Sequence, residues 1–250
     1  MDDDFSRLPA PAAERVARFV HRVDALQPGT VTAIWVAGSI ALGDYRPGIS
    51  DVDLVVVTKG TLAERERRRL QPWSWPPLQI GWNTLDDIWR LAERDHGCGA
   101  VTVATLHRHG IRVRGPEPAD ELPDVDHATL IRAMSRNLVA YWRPWLERVR
   151  GSALERLAAL HPRRIEWGVL GVPRQLITVR EGRVVSKTAA GRYARAQMDS
   201  RWHRIVDEAL RLRAGERRSL YRSLSDRRSE MVAFLDEAIR QTLGEVAAAG

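Results

Sequence analysis

The chain has 250 residues, 44% of them hydrophobic and 28% charged, which excludes a disordered protein and allows one large domain or two smaller ones, each with a real core. No apolar run approaches a membrane span, the acidic start "MDDDFSRLPAP" is unlike a signal peptide, and a single cysteine (Cys98) excludes an internal disulfide or a cysteine-based metal cluster, so a cytoplasmic location is expected. The net charge of +7 rests on arginine, with only Lys59 and Lys187 as lysines, and no aromatic–basic groove motif accompanies it, so specific nucleic-acid binding is not expected.

Pro11 can open a first helix, because its missing N–H falls where no intrahelical partner exists. Val16, Phe19, Val20, Val23 and Leu26 continue it at helical spacing, and Pro28-Gly29 stops it. Val31 to Ala37 is β-branched and aromatic and predicts a strand; Asp51 to Val57 predicts the next. Thr61 to Leu70 reads as a charged helix, and "LQIGW" (78–82) as a short third strand behind Pro76-Pro77. Asp86-Asp87 is placed as the cap of a helix through Trp89, Leu91 and Ala92, and "GIRVRGPEP" (110–118) as a short strand with a linker. From about Asp126 only helical patterns remain, over 127–150, 152–160, 164–179, 187–198, 201–213 and 217–246. The expected fold is an α/β N-terminal domain, a small mixed sheet with helices, over residues 1–118, and an all-α helical bundle over 119–250.

The chemistry concentrates in "GSIALGDYRPGISDVDL" (38–54). Residues i and i+2 of a strand share a face, so Asp51 and Asp53 point together with Cα atoms about 7 Å apart. Two converging carboxylates repel and make a poor structural device, but they suit Mg²⁺, a hard cation that takes oxygen ligands. Gly38-Ser39 follows the preceding strand, where backbone N–H groups and a hydroxyl could hold phosphate oxygens, and Gly43 and Gly48 let the segment turn back tightly.

This run resembles the signature of the polymerase-β-like nucleotidyltransferases: Gly-Ser, a small helix, then Asp-x-Asp on the following strand. "VLGVPRQLITVREGRVVSKTAAGRYA" (169–194) is similar to the helical domain of the streptomycin/spectinomycin adenylyltransferases, and "RGPEPADEL" and "LDDIW" are similar to that family too. The resemblance implies a monomeric, ATP- and Mg²⁺-dependent enzyme that moves AMP onto a hydroxyl of an aminoglycoside, a route to antibiotic resistance. Asp51 and Asp53 would be metal ligands, Gly38, Ser39 and Ser50 would hold the triphosphate, and Lys187 would reach its phosphates, with nucleotide and acceptor bound between the domains.

Two departures qualify it. The third strand of the family carries a glutamate that activates the attacking hydroxyl; aligning "PPLQIGWNTLDDI" puts Gln79 there, and an amide accepts a hydrogen bond but takes no proton at useful pKa. The family also holds its cationic antibiotic with acidic and aromatic residues ahead of the helix at 164–179. Here "AALHPRRIEWG" offers Glu166 and Trp167 but also Arg163 and Arg164, which would repel a polycation if they face the cleft. A catalytically impaired nucleotide-binding homologue, and a nucleotidyltransferase acting on RNA or protein, therefore stay open. His96, His107 and His109 are read as surface or core residues, Trp73, Trp75, Trp82 and Trp89 as packing, and Arg213 receives no role.

Overall fold

The computed structural model describes residues 3–71, 77–93 and 99–249, which form two compact units: one from the N-terminus to Val125, the other from Asp126 onward. Trp73, Trp75 and His96 lie outside the described residues.

The first unit runs α1 (Ala10–Leu26), β1 (Val31–Val36), α2 (Gly38–Ala41), β2 (Val52–Thr58), α3 (Glu64–Leu70), β3 (Leu78–Asn83), α4 (Leu85–Glu93), α5 (Gly99–His109), β4 (Ile111–Arg114) and α6 (Pro118–Glu121). The four strands make one mixed sheet in the order β3-β2-β1-β4. β1 is antiparallel to β2 and β4, and β2 is parallel to β3. A short turn through α2 suffices for the antiparallel β1–β2 return, whereas the parallel β2–β3 step needs the crossover that carries α3. β2 reads as an unbroken apolar run after Asp53 because Leu54 to Val57 are all buried. α1 packs Val16, Phe19, Val20 and Val23 against Ile34, Val36, Leu54 and Val56, each such side chain stabilising the fold by about 1.5–3 kcal/mol.

The second unit contains helices alone among its described residues: α7 (His127–Asn137), a π-helical turn (Leu138–Trp142), α8 (Arg143–Gly151), α9 (Ala153–Ala158), α10 (Pro162–Glu181), α11 (Lys187–Gln197), a 3₁₀ turn (Ser200–Trp202), α12 (His203–Ala214) and α13 (Leu224–Ala249). Its core gathers Leu138, Ile165, Leu170, Val206, Phe234 and Leu235. Trp142 stacks on Trp167 at 4.3 Å between ring centroids, and Gly171 leaves room for the Trp142 ring.

Four local expectations are corrected. The helix expected over 127–150 is interrupted by the π turn just before Pro144, which has no N–H for the carbonyl of Ala140 and crowds it. The helix expected from residue 217 begins only at Leu224, because the Ser219 hydroxyl and the Leu220 N–H are spent on the buried Glu208 carboxylate. The capping of α4 is shared rather than left to Asp86-Asp87: Thr84 is the N-cap, its hydroxyl accepting from the Asp87 N–H, and the Asp87 carboxylate accepts from the Thr84 N–H, a reciprocal capping box. α5 was not expected at all; its "GAVTVATLHRH" is rich in β-branched residues that read weakly as helix.

Candidate functional site

The β1–β2 connection builds the site. β1 ends at Val36, paired with Leu54, and the Ala37 N–H donates to the Asp53 carbonyl at 2.9 Å, so the ladder continues to the point where the chain turns away. Gly38 then adopts φ +60°, and a side chain there would be impossible: a Cβ would lie 1.8 Å from Asp53 Oδ2. The backbone thus passes directly against the Asp53 carboxylate, an approach that only glycine allows. Gly43 (φ +65°) and Gly48 (φ +77°) reverse the loop. The Asp44 N–H donates to the Ser39 carbonyl at 2.8 Å. The Ser50 hydroxyl, buried, accepts from the Arg46 N–H at 3.0 Å and closes the turn that delivers Asp51.

Asp51 precedes β2 and Asp53 is its second residue, both half-buried. On β3 the register places Gln79 beside Asp53, and its amide Nε2 donates to Asp51 Oδ2 at 2.7 Å. Gly38, Asp51, Asp53 and Gln79 therefore meet at one end of the sheet, with Ser39 and Ser50 adjoining them in the chain. Among the described residues no group of three or more His, Cys, Asp or Glu side chains converges on a metal position. Two carboxylates are nonetheless what Mg²⁺ commonly takes from a protein, since it fills the rest of its octahedron with water and substrate phosphates. The donor chemistry fits that ion.

Lys187 lies in the second unit, at the start of α11, where the Ser186 hydroxyl accepts from the Ala189 N–H at 3.2 Å as the N-cap. Its ammonium donates to Glu166 Oε1 at 3.1 Å, and Arg213 Nη1 reaches the same oxygen at 3.5 Å. Glu166 is only 7% exposed and Arg213 4%. The carboxylate that the sequence offered to a cationic acceptor is thus engaged by two cations of its own unit. Arg163 is exposed and Arg164 half-buried. Arg213, to which the sequence assigned nothing, could have been noticed from its place on the buried stripe of Val206 and Ala209, four residues beyond the latter. His107 binds the Leu122 carbonyl at 2.8 Å, a structural role, and Trp82 packs on Phe19 edge to face at 5.7 Å.

Residues 16–78 match the family model of a nucleotidyltransferase domain, and residues 121–241 that of the aminoglycoside adenylyltransferase C-terminal domain. No curated protein matches the chain. Among solved structures it is similar to spectinomycin adenyltransferase AAD(9) from Enterococcus faecialis, a structure with ATP and spectinomycin, at 13% identity and a TM-score of 0.61 over 88% of this chain and 99% of that one; this likeness speaks for the fold. Among the described residues no helix is long and apolar enough to cross a membrane.

Proposed function

As a member of the aminoglycoside adenylyltransferase family within the polymerase-β-like superfamily, this chain is a nucleotidyltransferase, and we propose that it moves AMP from ATP onto a hydroxyl of an aminoglycoside-class antibiotic. The observation that carries the reading is the meeting of Asp51, Asp53 and the side-chain-free Gly38 at the end of β1 and β2, inside the segment that matches the nucleotidyltransferase model.

In this reaction the acceptor oxygen bonds to the α-phosphorus, the bond to the bridging oxygen breaks, pyrophosphate leaves with that bond's electron pair, and the hydroxyl proton passes to solvent water. Asp51 and Asp53 would hold Mg²⁺, which when bound neutralises phosphate charge and orients the α-phosphorus. Gly38 and Ser39 would present backbone N–H groups and a hydroxyl to phosphate oxygens, and the Ser50 hydroxyl, whose oxygen already serves the Arg46 N–H, keeps its own proton to donate. Lys187 would supply a cation to the phosphates. Gln79 cannot take the hydroxyl's proton; its amide steadies Asp51 instead.

That hydrogen bond also favours a second reading, a nucleotide-binding homologue whose transfer is slow because its base position holds an amide. The family's cationic substrates would be disfavoured here if the exposed Arg163 faces the acceptor, and Glu166 is engaged internally. Spectinomycin, bound by the structural neighbour, is the first acceptor to try beside streptomycin. Incubation of the protein with ATP, Mg²⁺, these antibiotics and tRNA, read by mass spectrometry, tests the proposal: a gain of one AMP on an antibiotic supports it, a gain on tRNA replaces the acceptor class, and no gain with intact nucleotide binding selects the second reading.

A further inference from the structure

Lys187, Glu166 and Arg213 come from three helices of the second unit, α11, α10 and α12, and both cations address a single oxygen, Glu166 Oε1, at 3.1 and 3.5 Å. Their mobilities differ. The Arg213 side chain is 5% exposed and confined, whereas that of Lys187 is 29% exposed on a flexible four-carbon stem. Lys187 is moreover the first residue of an 11-residue helix, where the backbone already presents positive charge and a cation is disfavoured without an anion beside it. Glu166 is that anion. It satisfies Arg213 in any case, because a buried guanidinium without a counter-charge is costly, so Lys187 is the partner that can leave.

We propose that Glu166 is a positioning residue: an internal counter-anion that parks the Lys187 ammonium and yields it to the polyphosphate of the incoming nucleotide, while Arg213 keeps the Glu166 charge compensated. This rests on the reading of Lys187 as a phosphate contact. Binding is then an exchange of one anion for another, and part of the attraction between Lys187 and the nucleotide is spent on releasing Glu166.

The test uses the full chain, calorimetry with ATP and Mg²⁺, and side-chain NMR. Because Lys59 and Lys187 are the two lysines, ¹³C-lysine labelling yields two sets of side-chain signals, assigned by Lys187→Arg, with the exposed Lys59 as control. Lys187→Met should weaken nucleotide binding tenfold or more. Glu166→Gln should tighten it three- to tenfold, shift the Lys187 signal of the nucleotide-free protein and leave Lys59 unmoved. Should Glu166→Gln fold poorly, the pair Glu166→Gln with Arg213→Gln keeps the trio's net charge unchanged and still frees Lys187, so the tightening should persist. It should vanish when Lys187→Met is added. Unchanged affinity in Lys187→Met overturns the phosphate reading and this inference together. Weakened binding in Lys187→Met without tightening in either Glu166 variant, or tightening that survives Lys187→Met, overturns the inference and leaves the phosphate reading standing.

Discussion

Replacing Gln79 by glutamate exchanges the amide donor at 2.7 Å from Asp51 Oδ2 for a second carboxylate. Two terms act against the variant before any nucleotide is present. The charge-assisted hydrogen bond is lost, at a cost of about 1.5–3 kcal/mol. Two carboxylates with charge centres about 4 Å apart also repel by about 1 kcal/mol in water and about 4 kcal/mol at an effective dielectric near 20. Gln79 is exposed and Asp51 half-buried, so the lower figure governs, and the new pair relieves itself by sharing a proton. Such an acid is raised in the folded state and holds its proton longer than the unfolded chain does. The metal-free variant should therefore lose stability relative to wild type as pH rises from about 4 to 6, since about 1 kcal/mol raises a carboxyl by less than one pH unit, a trend that thermal melts across pH would record. With Mg²⁺ and ATP present the repulsion is compensated and the carboxylate becomes a base, a role that contributes about 10²- to 10⁴-fold in such steps. Gln79→Glu should raise AMP transfer at least tenfold, measured as pyrophosphate release at saturating ATP, with a rate that climbs with pH through the pair's titration. Gln79→Ala, which removes only the support of Asp51, should stay within about threefold of wild type. If Gln79→Ala abolishes a robust activity, Gln79 is itself an essential contact and the idea of an amide in a base's place is refuted.

Asp51→Asn with Asp53→Asn should weaken Mg²⁺-dependent ATP binding tenfold or more, about 1.4 kcal/mol, without unfolding the protein; unchanged calorimetric affinity would remove the metal assignment. Gly38→Ala forces a Cβ against Asp53 Oδ2 at φ +60° and should lower stability by more than 1–2 kcal/mol, roughly the left-handed penalty alone, and displace the Asp53 carboxylate, so nucleotide affinity should fall with the melting temperature. Burial pushes the Glu208 carboxyl up, but hydrogen bonds from Arg211, the Leu220 N–H, Ser219 and Arg227 outweigh it and hold the group down at about 2. Its folded value is depressed, so the stability it lends is complete above the ordinary carboxylate range and is lost as pH falls toward 2, which acid-titration melts should show. Glu208→Gln leaves Arg211 and Arg227 buried without their counter-charge and should cost about 3–5 kcal/mol at neutral pH.

Much of the architecture was written locally. A β-branched run, a glycine-punctuated loop and a second apolar run specify two strands and a tight return, because strand propensity, turn chemistry and side-chain alternation each act over a few residues. The same locality made Asp51 and Asp53 legible as a pair, since a two-residue spacing on a strand puts both on one face whatever the strand packs against. The α/β first half and the helical second half followed from the same patterns, whereas the mixed strand directions were implied by the family resemblance and are set by tertiary pairing. Where the local signal was divided, the tertiary structure decided. α5 is helical despite its β-branched residues because Val103, Ala104 and Leu106 are buried on it, and α13 starts late because Glu208 claims the segment before it. Side-chain partnership across distant chain was not legible at all. Nothing near Gln79 says that its amide meets Asp51, 28 residues away, and nothing near Glu166 says that Lys187 and Arg213, 21 and 47 residues along, share one of its oxygens. Those contacts exist only once β2 and β3 align in register and three helices pack together: burial gathers the charges, and the cost of leaving a buried charge uncompensated selects their partners.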